Sequence, residues 1–328
     1  MSDQVYTLRI QRNVRRDDGT LETKWDEFQV KATPLTPVLN LLEDVKGNQD
    51  GSLTFRQSCR SAICGSCAMR IGGKTRLACK TQIGEVVDEN NTVQIAPQQN
   101  SPVLKDLVVD ITKFFNKVHQ IKPYLQEGAE SATEVNDTAF DQVNHVTQCI
   151  MCACCFSDCT MAEVSDAFIG PAALAKAFRF VSDPREGNKR ERLRVLSQDH
   201  GIWSCSRCTM CVMVCPKDVK PMEAIVKLRT RAMDAGNVSG YGAKHAQAFH
   251  GDITSNGSLN EAFILNRTLG VLGALGEMGA ALHLAKKGKI PSPFPHKIAN
   301  LGEVQAIYDA LEKNPLDVET KAENAVPE

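Results

Sequence analysis

Cys205-Ser206-Arg207-Cys208-Thr209-Met210-Cys211-Val212-Met213-Val214-Cys215-Pro216 sets four thiols at spacings x2, x2 and x3 and closes on a proline. The same spacing stands upstream at Cys149, Cys152, Cys155 and Cys159, so the chain carries one pattern twice. A third group, Cys59-x4-Cys64-x2-Cys67-x11-Cys79, is interspersed with Gly65, Ser66, Gly72 and Gly73. Of the 13 cysteines only Cys154 lies outside these groups. An odd number, gathered so tightly in a chain whose Met1-Ser2-Asp3-Gln4 start lacks a secretory signal, points to metal or redox chemistry and away from a disulfide framework.

The duplicated run is the one by which two-cluster bacterial ferredoxins hold cubanes: three closely spaced cysteines bind one cluster and the fourth reaches across to the other. The expected assignment is therefore crossed. Cys149, Cys152 and Cys155 join Cys215 on a [4Fe-4S] cluster, and Cys205, Cys208 and Cys211 join Cys159 on the next. Cys59, Cys64, Cys67 and Cys79 carry the plant-type start of a [2Fe-2S] site, and the small residues between them let backbone N–H groups turn toward the negative sulfurs. Zinc is the competing occupant, in a chain that would then be a structural interaction module. It normally takes paired C-x2-C ligands and has no use for a swapped fourth ligand followed by proline. Cys154 reads as a small buried residue beside a cluster.

At 328 residues, 42% of them hydrophobic, the chain is long enough for two domains and an appendage. A formal net charge of −1 gives no broad positive field, so nucleic acid is not an expected partner. No run reaches the ~20 apolar residues that span a bilayer, and a cytoplasmic location is expected. The most apolar stretch, Leu269 to Ala285, carries Glu277 and His283 and reads as a buried or partner-facing helix. None of the seven histidines falls within a cysteine group, so no general acid or base accompanies the thiols and most histidines read as surface or structural. The chemistry that remains is electron relay, with no substrate-converting site.

Alternating patterns at Val5 to Gln11 and Trp25 to Ala32, with Asp17-Asp18-Gly19 between them, predict a hairpin. Thr36 as N-cap and Pro37 at the first helical position predict a helix whose Val38, Leu41, Leu42 and Val45 face the sheet until Gly47. Ala68 to Ile71 and Thr92 to Ile95 read as further strands, and Pro97 closes the segment. From Val103 the pattern turns helical, with Leu104, Leu107, Val108, Ile111 and Phe115 as an apolar stripe. Leu174, Ala177, Phe178 and Val181 mark a packing helix between the two duplicated runs. The basic run Arg185 to Arg194 reads as a solvated turn and helix face, or else as a docking surface for a partner or anionic headgroups. The tail beyond Asn314 is polar and reads as frayed.

With all three groups in this order, the sequence resembles the iron-sulfur subunits of succinate dehydrogenases and fumarate reductases over about residues 4 to 235. The resemblance rests on Ser58-Cys59-Arg60-Ser61-Ala62-Ile63-Cys64-Gly65-Ser66-Cys67, Leu77-Ala78-Cys79, Cys149-Ile150-Met151-Cys152-Ala153-Cys154-Cys155, Phe168-Ile169-Gly170-Pro171 and Val214-Cys215-Pro216-Lys217. It implies an α+β chain: a β-grasp plant-type ferredoxin domain over 1–105, an all-α bacterial-type ferredoxin domain over 106–236, and a helical extension with a polar tail over 237–328. It also implies a flavoprotein subunit beside the [2Fe-2S] end, a membrane-side partner with quinone near the third cluster, and a peripheral place on the cytoplasmic membrane. The activity implied is succinate:quinone oxidoreduction, as in the tricarboxylic acid cycle, with fumarate reduction, quinol-linked or thiol-linked, as the alternative.

The sequence departs from that family at the third cluster. Most members lack a cysteine at the place of Cys208 and hold a [3Fe-4S] cluster; here a ligand for a fourth iron is present, so a second [4Fe-4S] on Cys159, Cys205, Cys208 and Cys211 is expected ahead of [3Fe-4S]. Thr160 follows Cys159 where the family usually has proline. The tryptophan of the usual quinone pocket is missing from Met161 to Asp166, and Ser206 stands where many members place histidine. The extension is similar to those of a branch whose membrane partner resembles the cysteine-rich subunit of heterodisulfide reductases.

Overall fold

The computed structural model describes residues 3–16, 18–128, 137–289 and 296–313. Its backbone contacts form two compact units, Met1–Arg231 and Ala232–Glu328.

The first unit opens on a long hairpin, β1 (Gln4–Arg15) and β2 (Leu21–Ala32), in register from Gln4 opposite Ala32 to Arg15 opposite Leu21. Both strands run past the stretches that alternation marks. The charged Arg12 masks the pattern: its side chain is buried against Asp106, Asp50 and Asp26, so a residue that reads as surface occupies an inward position. Asp18 accepts from the N–H and hydroxyl of Thr20 in the turn, while Asp17 lies outside the described residues.

Next comes α1 (Val38–Asn48), which buries Val38, Leu39, Leu41, Leu42 and Val45. Its start is one residue later than the proline signal predicts. Pro37 itself holds the cap position in extended geometry, and the first N–H groups of the helix go to carbonyls of a neighbouring loop, Val38 to Thr81 (2.9 Å) and Leu39 to Ala78 (3.0 Å). Thr36 is thus not needed as a cap, and its hydroxyl meets that of Thr33 instead. Gly47 does not end the helix.

β3 (Ala68–Ile71) and β4 (Lys74–Leu77) form a second hairpin across Gly72-Gly73, and β5 (Thr92–Ala96) closes the five-stranded sheet in the order β2-β1-β5-β3-β4. β1 and β5 are parallel and the other pairs antiparallel, the mixed arrangement of a β-grasp. Tyr6, Leu8, Ile10, Leu42, Ile71 and Ile95 centre its core, which reaches Cys154 and Val214 of the cysteine runs.

The expected helix from Val103 is a correction. The structure has strands β6 (Val103–Lys105) and β7 (Val108–Val109), and α2 (Thr112–Gln120) begins later. Asp106 decides this: its fully buried carboxylate takes the Arg12 guanidinium and the N–H of Thr54, and its own N–H donates to Asn13 (2.8 Å), pinning the chain to β1 as a turn.

The helical part continues with α3 (Asp137–Thr147), α4 (Cys154–Ser157), α5 (Thr160–Val164), α6 (Pro171–Ser182), α7 (Lys189–Leu196), α8 (Met210–Met213) and α9 (Pro221–Asp234). α6 is the packing helix expected from Leu174, Ala177, Phe178 and Val181, and all four are buried. The basic run is not simply solvated. Glu186 is fully buried and pairs with Arg192 (2.9 Å), whose guanidinium also donates to the carbonyls of Ile121, Lys122 and Tyr124. A buried ion pair stitches this turn, and Arg194 pairs with Glu191 on the outside.

The second unit comprises α10 (Tyr241–Asn256), α11 (Glu261–Gly276), α12 (Met278–Lys286) and α13 (Leu301–Lys313). Residues beyond 313, including the expected frayed tail, lie outside the described residues.

Candidate iron-sulfur centres

The loop before β3 coils so that its backbone amides face sulfur. Cys59 Sγ accepts from the N–H groups of Ser61 (3.4 Å), Ile63 (3.4 Å) and Cys64 (3.3 Å), and Cys79 Sγ from that of Ala62 (3.3 Å). Left-handed φ at Arg60, Ala62 and Gly65 turns those amides inward. Cys67 lies at the head of β3 and Cys79 just past β4, so the sheet hairpin brings the distant fourth thiol to the other three. The Ser66 hydroxyl, 3.2 Å from Cys64 Sγ, draws that thiol down to about 6, whereas burial pushes Cys67 up to about 12.

The two duplicated runs repeat in backbone as well as in spacing. Met151 and Ala153 in one, Arg207 and Thr209 in the other, take left-handed φ of 57°, 62°, 57° and 64° at matching positions. Each run then enters a one-turn helix, α4 or α8. The electrostatic neighbours of each thiol show how the runs interleave. Cys159 is raised by burial and by Cys208 and Cys205 of the other run, while the charged neighbours of Cys149 include Cys152 and Cys215. Cys211 is pushed up to about 12 by burial and by Cys205, Cys159 and Cys208. A small cavity is lined by Cys149, Cys152, Cys155 and Cys215, together with Phe114 and Ala172. The structure thus brings together the residues that the crossed reading groups. Their donor chemistry, soft sulfur with backbone N–H groups aimed at it, fits iron-sulfur clusters. Cys205 Sγ accepts from Arg207 N–H (3.4 Å) and Cys215 Sγ from Val219 N–H (3.3 Å).

Contacts run in series through the three groups. At Gly65 a Cβ would stand 2.7 Å from Cys152 Cβ, so the first loop touches the second group only because glycine is there. Cys155, raised well above the usual thiol range by burial, lies on α4, which packs on α8 and its Cys211 of the third group. Cys154 is fully buried, as expected, and its thiol bonds Cys152, drawing the latter down to about 7.

Sequence reasoning misses the residues that hold these runs. Asp158, between Cys155 and Cys159, accepts from Thr75 N–H (2.9 Å) and hydroxyl (2.6 Å) and pairs with Arg70 (3.4 Å), tying the second run to β4 and β3. Asn100 donates to the carbonyls of Phe156, Ser157 and Cys159, and Gln98 to that of Cys152. Arg229 donates to the carbonyls of Ile202, Trp203 and Cys205 behind the third group. A carboxylate inside a crowded cysteine run was the available signal for Asp158; Asn100 and Arg229 are too far away in sequence to give one.

A plant-type cysteine loop on a β-grasp sheet, joined to two interleaved bacterial-type runs on helices, defines an iron-sulfur electron-transfer protein. Residues 7–116 match the family model of a 2Fe-2S iron-sulfur cluster binding domain, and 145–219 that of a 4Fe-4S dicluster domain. The chain belongs to the iron-sulfur subunits of succinate dehydrogenases and fumarate reductases. It is 35% identical over 263 residues to the 8-methylmenaquinol:fumarate reductase iron-sulfur subunit of Wolinella succinogenes, covering 77% of this chain and 82% of that one. Against the mitochondrial succinate dehydrogenase [ubiquinone] iron-sulfur subunit of Candida glabrata the identity is 34%, covering 65% of this chain and 86% of that one. The fold is shared with a chain of the Mycobacterium smegmatis Sdh1 complex in the apo form, at TM-score 0.63 and 24% identity, covering 71% of this chain and 97% of that chain.

Proposed function

We propose that this chain relays single electrons between a flavoprotein subunit, where succinate and fumarate interconvert, and a membrane-side partner that exchanges them with quinone on the cytoplasmic face. The observation that carries the reading is the packing of Gly65 of the first loop on Cys152 of the second group and of α4, which bears Cys155, on α8, which bears Cys211. Apolar residues are exposed beside the first and third groups, Ile63 in the first loop and Val164 on α5 after Cys159, and we assign these surfaces to the two partners.

The ligand sets follow. Cys59, Cys64, Cys67 and Cys79 hold [2Fe-2S]; Cys149, Cys152, Cys155 and Cys215 hold [4Fe-4S]; Cys159, Cys205, Cys208 and Cys211 hold a second [4Fe-4S]. When bound, the clusters supply one-electron redox chemistry. The chain's part is to bury the thiols, fix them with amide donors and set the field around them through groups such as Arg229.

The same relay serves succinate oxidation and fumarate reduction, and the relatives carry both names. The match to the Wolinella succinogenes fumarate reductase subunit supports quinol-linked fumarate reduction, and that to the succinate dehydrogenase subunit supports the opposite direction. The helical second unit is assigned to docking on the membrane-side partner, of the cysteine-rich heterodisulfide-reductase-like kind. EPR of the isolated complex tests the relay: succinate should reduce centres in this chain and quinone should reoxidise them. Centres that stay oxidised while the flavin is reduced by succinate would exclude this role.

A further inference from the structure

Within the second unit, α10 and the first half of α11 are fastened together. The fully buried carboxylate of Asp252 accepts from Asn260 N–H (3.1 Å) and pairs with Arg267, and Thr268 bonds the ring of His245 (3.4 Å). At Gly270, φ 75° and ψ 174° break the helix. From Val271 to Lys289 no residue is buried; Leu272 is 86% exposed and Leu282 59%. The two arms, Phe263–Gly276 and Met278–Lys286, meet at 86°, and no single described helix is long and apolar enough to cross a membrane. Lys286, Lys287 and Lys289 follow at once, all exposed.

We propose that the segment Leu269–Lys289 lies in the interfacial layer of an anionic lipid bilayer, giving this chain a membrane contact of its own. Val271, Leu272 and Leu275 share one face of the first arm at helical spacing, and Met278 and Leu282 share one face of the second; all are exposed, and an apolar face on each of two arms with lysines at the end is the pattern of helices that lie in the bilayer interface. The bend lets both arms lie in the membrane plane, where Glu277 at the corner and His283 stay at headgroup depth; a segment dipping into the hydrocarbon would have to bury that carboxylate. The three lysines at the end of the second arm complement anionic headgroups and reach them by snorkelling.

The test is co-sedimentation of the full-length, cluster-loaded chain with phosphatidylcholine vesicles, with and without phosphatidylglycerol. Binding is expected to the mixed vesicles, weaker to phosphatidylcholine alone, and reduced by salt. L272D with L275D should lower the partition coefficient roughly tenfold or more while visible absorption and cluster EPR stay unchanged. K286Q with K287Q should weaken binding to the anionic vesicles and leave the phosphatidylcholine background as it was. No sedimentation with anionic vesicles, or sedimentation that L272D with L275D leaves unaltered, overturns the proposal. So does association of this segment with the purified membrane-side subunit in the absence of lipid when vesicles fail to bind.

Discussion

The hydroxyl of Thr160 stands 3.9 Å from Cys208 Sγ and donates to it. Thr160 opens α5 directly after Cys159, and a proline there has no hydroxyl to give. Partial burial works to raise the Cys208 thiol, but the N–H of Met210 and the hydroxyls of Thr160 and Ser206 outweigh it and lower the thiol overall. Three departures from the family pattern therefore meet at one sulfur. A sulfur so supplied with hydrogen-bond donors suits an iron ligand, so Cys208→Ser is expected to convert the third centre to [3Fe-4S]. EPR of the oxidised complex reads this. A full [3Fe-4S] signal already present in the unaltered protein, and the same in the variant, would contradict it.

Removing the hydroxyl alone is gentler. Hydrogen bonds to sulfur favour the more negative, reduced cluster, so Thr160→Val should lower the third centre's reduction potential and Thr160→Ser should hold it near the original value. At ~0.5–1.5 kcal/mol per bond, the shift for a one-electron couple is on the order of 20–60 mV. Potentiometric EPR titration measures it; an upward shift would show that Thr160 does not serve the sulfur.

The first centre is expected to depend on Cys64, the most exposed thiol of its group. Cys64→Ala should abolish the [2Fe-2S] EPR signal of the reduced protein and leave the other two centres intact. Survival of that signal at full intensity would put the ligand set in error.

Most of the candidate site was legible because cysteine spacing encodes cluster chemistry directly, and the matched 2Fe-2S and 4Fe-4S domains fall on the stretches that the spacing marks. The fold was legible where apolar residues recur at the spacing of their element, as Leu174, Ala177, Phe178 and Val181 do in α6. It failed where polar residues are buried. Arg12 hid four residues of β1, Asp106 turned an apparent helical stripe into two short strands, and Arg192 with Glu186 made a basic run part of the interior. Those residues act through partners far away in sequence, Asp106 being 94 residues from Arg12, and periodicity carries no trace of such pairs.

Arg12 gives a stability prediction. Arg12→Leu leaves the fully buried Asp106 carboxylate without its cation, which should cost about 3–5 kcal/mol by urea unfolding. Asp50, on the same guanidinium, is held at about 2 by the Ser52 hydroxyl, Arg12 and the Ser52 N–H, against an ordinary value of 3.8. A carboxyl lowered on folding stabilises above its unfolded value and loses that contribution as pH falls from 3.8 toward about 2. Asp50→Asn should therefore flatten the acid limb of the stability profile in that window. An unchanged limb would mean the carboxylate is not engaged in solution.

The second unit has polar ties of its own, Asp252 with Arg267 and Asn260, and an edge-on contact of His250 with Tyr308 at 4.8 Å. All the cluster thiols, their amide donors and the braces Asp158, Asn100 and Arg229 belong to the first unit. A chain ending after Gly236 should accordingly assemble all three centres with unaltered EPR line shapes and still bind the flavoprotein subunit. What it should lose is quinone-linked activity, since docking on the membrane side is assigned to the part removed. If the shortened chain fails to fold or to take up iron, the second unit is a structural brace for the first; if quinone-linked activity persists, docking lies elsewhere. Iron and sulfide analysis beside paired assays with a soluble dye and with quinone separates these three outcomes in one preparation.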